Sequence, residues 1–199
     1  MKYYRNILFL LLYFLAPAVA YAAKGTEVYF QNTAKQITPK TSFVVDLDIA
    51  SDTPINVVDG TITYDPQLLV VQSISTDASI LMTWVKQPLY DNQQGTLSFI
   101  GGVPNGFSGG SGELLHITFL AKKAGVTTLG FRDVFSVLKN DGLGTEVNPW
   151  LEPLSLSITK KPSLFVRYYN IAAKNHYLYY LLGAGVLCSV WVFSKRRKR

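Results

Sequence analysis

Residues 43–49 read FVVDLDI and residues 55–66 read INVVDGTITYDP, and these two runs decide the fold class. In the first, Val45, Leu47 and Ile49 fall on one side, with Val44, Asp46 and Asp48 on the other. Successive side chains of a strand point to opposite faces of its sheet, so a period of two marks a half-buried strand. In the second run Val58, Ile62 and Tyr64 share a side with Gly60, while Asp59, Thr61 and Thr63 face away. Asp65-Pro66 then turns the chain.

The same pattern continues outward. Residues 68–74, 96–101, 114–121, 127–131 and 154–158 are further strand candidates. Every second residue is apolar in Leu115, Ile117, Phe119 and Ala121, and again in Leu154, Leu156 and Ile158. Turns are expected at Gly95, Gly101-Gly102, Gly125 and Asp141-Gly142. The segment 101–112 (GGVPNGFSGGSG) is so rich in Gly, Ser and Asn that it reads as a flexible loop. No stretch before the C-terminal end keeps a 3.6-residue apolar period, so the fold class is all-β, a sandwich.

The chain has 199 residues, 48% hydrophobic and 13% aromatic, with a formal charge of +6 and one cysteine. That apolar content excludes a mostly disordered chain. A single cysteine, Cys188, excludes an internal disulfide framework and a multi-cysteine zinc site. The charge is unevenly placed. Residues 26–159 carry seven basic side chains (Lys35, Lys40, Lys86, Lys122, Lys123, Arg132 and Lys139) against all thirteen acidic ones, a net of −6. A net-acidic domain lacks the basic face that a phosphate backbone requires, so nucleic acid is excluded as a partner.

The positive charge sits in the flanks. Residues 1–22 read as a signal peptide: Lys2 and Arg5 precede an apolar core at residues 7–16, and small residues follow at Ala18, Ala20 and Ala22. A retained anchor is the alternative. Between Lys174 and Lys195 no side chain carries a formal charge, apart from His176 if protonated. At ~1.5 Å per residue that gap spans about 30 Å, the thickness of a bilayer's hydrocarbon core. Residues 176–194 are therefore expected to form a transmembrane helix, with Tyr177, Tyr179, Tyr180 and Trp191 towards its ends. Residues 160–175 form a juxtamembrane stalk, and the basic tail 195–199 stays in the cytoplasm by the positive-inside rule. The expected localisation is the cell membrane, single-pass, with the N-terminal domain outside.

The order of motifs over residues 26–159 resembles the cohesin domain. FVVDLDIA is followed by INVVDGTITYDPQLLVVQSIS with its Tyr64-Asp65-Pro66 turn, then by GTLSFIGGVPNGFSG, GELLHITFLAKKAGVTTLGF and VLKNDGLGTEV. The resemblance implies a jelly-roll β-sandwich of about nine strands, related in architecture to certain carbohydrate-binding modules. Cohesins of cellulosomes bind dockerin domains. This chain departs from the scaffoldin pattern in having one copy, no attached catalytic module and a direct membrane anchor, so the resemblance does not by itself supply a dockerin partner.

Candidate chemistry is sparse. Gly106-Phe107-Ser108-Gly109-Gly110 matches G-x-S-x-G, but a nucleophile elbow needs a strand-to-helix turn and a downstream acid and histidine. Only His116 and His176 lie downstream. Asp46 and Asp48 share one strand face and are read as its solvated side rather than as a glycosidase pair. No catalytic residue is assigned, and the chain is not expected to be an enzyme. Asn140 and Asp141, within NDGLGTE, offer oxygen ligands for calcium, and Asp133 adds another only if the fold brings it close. A hairpin turn on Asp141-Gly142 accounts for the same residues without metal, and no cofactor is otherwise implied. Among the aromatics, Phe107 in its glycine segment is the expected exposed contact. Trp84 and Trp150 are expected to pack into the sandwich, or to bind a partner if exposed.

The expected function is non-catalytic recognition of a protein module, dockerin-like, or of a polysaccharide at the cell surface. A structural envelope role, through self-association of the domain or of a span containing Gly183, Ala184 and Gly185, is the alternative.

Overall fold

The computed structural model describes residues 25–132 and 135–160. The expected signal peptide, the span, the basic tail, the stalk beyond Lys160 and Asp133 lie outside them. The described residues form ten strands: β1 (Thr26–Asn32), β2 (Ser42–Thr63), β3 (Leu69–Ser75), β4 (Thr83–Asp91), β5 (Thr96–Ala121), β6 (Gly125–Phe131), β7 (Ser136–Lys139), β8 (Glu146–Val147), β9 (Trp150–Glu152) and β10 (Leu154–Ile158). The all-β expectation holds, with ten strands rather than about nine.

The two decisive runs are one strand. β2 continues for 22 residues through a series of register shifts between Leu47 and Val57, and it pairs antiparallel with the 26-residue β5 along its length. The shifts are bulges, which bend a strand and increase its twist. One strand pair thereby serves two layers. The first half of β2 lies between β1 and the second half of β5, which carries β3 on its other side. The second half of β2 lies between β7 and the first half of β5, which carries β4. β9 adds to β1 in parallel, β8 closes on β7, and β10 pairs with β6, which meets the end of β2.

The residues that alternate inward fill the space between the layers. Val45, Leu47, Ile49, Val58, Ile62, Leu115, Ile117 and Phe119 are fully buried in one core. The aromatics knit it across the layers: Phe30 of β1 stacks on Phe131 of β6 at 4.9 Å, Phe131 meets Phe135 edge-on at 5.3 Å, and Phe99 meets Phe135 at 6.4 Å. The glycine at residue 60 is a packing requirement. A Cβ there would sit 2.4 Å from the Phe135 ring.

Residues 101–112, expected as a loop, lie instead inside β5. Gly102 pairs with Val57, Phe107 with Ile55, Gly109 with Ser51 and Gly112 with Ile49. The composition that signals a loop permits a sharply bent strand: glycine tolerates bulges and close backbone approach. Gly106 adopts φ 74° against the Asn140 side chain, where a Cβ would come within 2.4 Å of Nδ2.

Candidate binding surfaces

Most of the conspicuous exposed apolar side chains gather on one edge. Met82 (74% exposed), Val85 (84%), Leu89 (66%) and Tyr90 (38%) all lie on or immediately before β4. Among the described residues this strand pairs only with β5, which leaves its outer edge without a partner strand there. Register shifts between Trp84 and Lys86 and between Lys86 and Leu89 break its ladder. Lys86 and Pro88 further obstruct strand addition, since a charged side chain and a missing N–H both discourage edge pairing. What this edge presents is its side chains. Beside it, half-exposed Ile100 of β5, Val57 of β2 and Leu138 of β7 extend apolar surface across the same layer.

Trp84 is half-buried, its ring meeting Phe99 edge-on at 6.5 Å, so it anchors β4 to the core. Two aromatic expectations are corrected. Phe107 is not a free contact: it is half-buried against the core, and its ring lies where a Cβ on Gly112 would approach within 2.7 Å. Trp150, expected to pack inward, is 70% exposed, because it faces outward on the edge strand β9.

Asn140 and Asp141 form the β7–β8 turn. The Leu143 N–H donates to Asp141 Oδ1 at 2.9 Å, and the Thr145 hydroxyl first and this N–H second hold the Asp141 carboxyl below its usual value. The Asn140 amide reaches Asn105 O at 3.5 Å, and Asn56 donates to its oxygen at 3.4 Å. Asp141 is thus engaged within the hairpin turn, and Asn140 ties the start of that turn to β2 and β5. Ser108 is exposed and continues as strand on both sides, without the turn into a helix that an elbow needs.

The outer face of β2 and β5 holds a cluster that sequence reasoning missed. Asp48, expected to be solvated, is 6% exposed, and Gln31 Nε2 donates to its Oδ2 at 2.6 Å. Burial first, and the neighbouring Asp46 second, push its carboxyl above the ordinary aspartate value. Glu113, paired across from Asp48, is raised by burial and then by Asp46. His116 pairs across from Asp46, with Nδ1 2.7 Å from Oδ1. That contact is a hydrogen bond when Nδ1 carries a proton. Ligand atoms of Asp46, Glu113 and His116 lie within 4.8 Å of one another, so these are the side chains able to share a cation among the described residues. Asp46 with Asp48 and Glu113 with His116 are each close in sequence, but only the β2–β5 register brings the two pairs together.

These layers, joined through two long bent strands, define a jelly-roll β-sandwich. The chain has the cohesin fold. It superposes on a non-cellulosomal cohesin from the hyperthermophilic archaeon Archaeoglobus fulgidus with a TM-score of 0.57 at 13% identity, covering 73% of this chain and 97% of that one. A type I cohesin–dockerin complex from Clostridium thermocellum matches with a TM-score of 0.58 at 12% identity, covering 71% and 99%. The seventh ScaB type I cohesin from Pseudobacteroides cellulosolvens matches with a TM-score of 0.55 at 19% identity, covering 70% and 96%. No family model and no curated protein sequence matches the chain. At these identities the likeness establishes the fold, and function must be argued from the surfaces.

Proposed function

We propose that the chain is a non-catalytic recognition module, displayed outside the cell on a single membrane span, which binds a dockerin-like protein module through the β4 side of its sandwich. The observation that carries this reading is the concentration of exposed Met82, Val85, Leu89 and Tyr90 on one broken strand edge. Contiguous exposed apolar surface marks an interaction site, because solvating it costs free energy that a partner's apolar face recovers. Aliphatic side chains suit a protein partner better than a sugar, which stacks on flat aromatic rings. The display outside the cell is supported by the leader-like residues 1–22 and the uncharged run before the basic tail 195–199. The direct test is titration calorimetry of the full-length chain, in detergent, against a panel of type I dockerin modules. Saturable binding lost in Val85→Asp is expected. Absence of binding across the panel, or binding indifferent to Val85→Asp, removes the proposal.

A further inference from the structure

On the layer that does not carry β4, the outward sides of β1 and β9 border a groove of about 220 Å³ lined by Glu27, Tyr29, Ala50, Gly110 and Glu152. The parallel register sets Trp150 beside Glu27 and Glu152 beside Tyr29. Leu151 between them packs on the core, so Trp150 and Glu152 both project outward. Tyr29 Oη donates to Ser111 Oγ at 3.2 Å, which fixes the phenol ring as one wall. Ala50 and Gly110 leave the floor low, and nothing lies within 4 Å of a Cβ built on Gly110. No lysine or arginine forms an ion pair with Glu27 or Glu152 among the described residues. The next residues across the same face, in register with Tyr29, are the carboxylates Asp48 and Glu113.

We propose that this groove holds the cationic side chain of a basic protein segment, an arginine above all, between the Glu27 and Glu152 carboxylates and against the face of Trp150. The charge complementarity is specific. The two carboxylates accept hydrogen bonds only, while a guanidinium donates only, with five N–H groups in a planar fork. A sugar hydroxyl both donates and accepts, and a site bordered by unpaired carboxylates wastes half of that capacity. Trp150, exposed and in register with Glu27 on the edge strand, stands beside these lining residues and offers its ring quadrupole to the same cation. This surface does not depend on the β4 proposal and leaves that edge free.

The test measures fluorescence anisotropy of a fluorescein-labelled peptide containing four arginines, titrated with the full-length chain in neutral detergent, beside the same peptide with neutral citrulline at those positions. The arginine peptide is expected to bind and the citrulline peptide not. Glu27→Gln with Glu152→Gln is expected to weaken binding about tenfold, and Trp150→Ala about threefold with recovery in Trp150→Phe. A control that removes carboxylates elsewhere, Asp77→Asn with Glu146→Gln, is expected to change binding less than twofold. All of these side chains are at the surface, and matching melting curves exclude an effect of unfolding. The proposal is overturned if the two double variants bind alike, if the citrulline peptide binds as well as the arginine one, or if cellohexaose binds at Trp150 with no loss in the Glu27 and Glu152 variant.

Discussion

Truncating Val85 and Leu89 to alanine is the perturbation that bears most directly on the β4 interface. Val85 is 84% exposed and Leu89 66%, so each has that share of its side chain available for a partner to bury. Valine to alanine removes about two methylene equivalents and leucine about three, each worth about 0.8 kcal/mol when buried. Scaled by exposure, the losses are about 1.3 kcal/mol for Val85 and about 1.6 kcal/mol for Leu89, together about 3 kcal/mol. That corresponds to roughly a hundredfold rise in Kd, most of it expected in the dissociation rate. The same variant should fold normally, since substitutions at exposed positions stay within about 0.5 kcal/mol of the parent. Surface plasmon resonance of the full-length chain against whichever type I dockerin binds it, with melting curves beside it, separates the two effects. A double variant that binds within threefold of the parent would refute the placement of the interface on β4. So would a loss of binding that tracks a fall in melting temperature.

Three further outcomes test the packing and the electrostatics. Gly60→Ala places a methyl 2.4 Å from the buried Phe135 ring and is expected to cost about 1–3 kcal/mol in urea denaturation, whereas Gly110→Ala, with open space around it, should stay near neutral; equal effects would contradict the packing described. Asp48 is an acid whose folded value is raised, so its penalty is absent below the ordinary aspartate range and develops as pH rises through the folded value. Asp48→Asn keeps an acceptor for Gln31 and should therefore stabilise the fold at pH 7, with the gain vanishing near pH 3; a loss at pH 7 would show that the charge is compensated. Tyr64 is pushed up to about 12, by burial first, and its hydroxyl donates to Asn92 at 2.8 Å. Stability should therefore fall as pH rises from about 10 through about 12, and Tyr64→Phe should remove its share of that fall in a pH series of denaturation curves.

How far the sequence speaks depends on whether a residue's fate is local. Val45, Leu47, Ile49, Leu115, Ile117 and Phe119 were legible because alternation is a property of the strand itself, and all are fully buried. The strand at residues 154–158 ends where its pattern ends. β4 was not legible, because an edge strand with broken register and exposed side chains on both faces has no alternation to read. Residues 101–112 read as a loop because their glycines report backbone freedom, and only the partner strand decides whether that freedom becomes a loop or a bend. Hydrophobicity alone points Trp150 inward, but its orientation follows from the parallel pairing of β9 with β1, some 120 residues earlier in the chain. The Asp46, Asp48, Glu113 and His116 cluster is invisible for the same reason: it exists only in the register of β2 on β5.

That register also explains how one small sandwich presents two unlike surfaces. β2 and β5 each pass from one layer to the other through the bulged segment, so the same strand pair carries the acidic cluster at one end and flanks the apolar β4 edge at the other. On the β1 and β9 layer, the outward positions of successive strands are acidic: Glu152, Glu27, Asp48 and Glu113. Burial first, and the Asp46 carboxylate second, raise the carboxyls of Asp48 and Glu113, so like charge adds to desolvation at the β2 and β5 part of this face. A groove bordered by the Glu27 and Glu152 carboxylates suits a cation, because each positive group that arrives finds opposite charge and hydrogen-bond acceptors. The β4 edge carries the opposite bias, losing water rather than gaining charge. Binding at β4 should therefore be nearly indifferent to salt, and binding at the Trp150 groove should weaken as salt screens it. A strong salt dependence at β4, or none at the groove, would mean that the two chemistries have been assigned to the wrong faces.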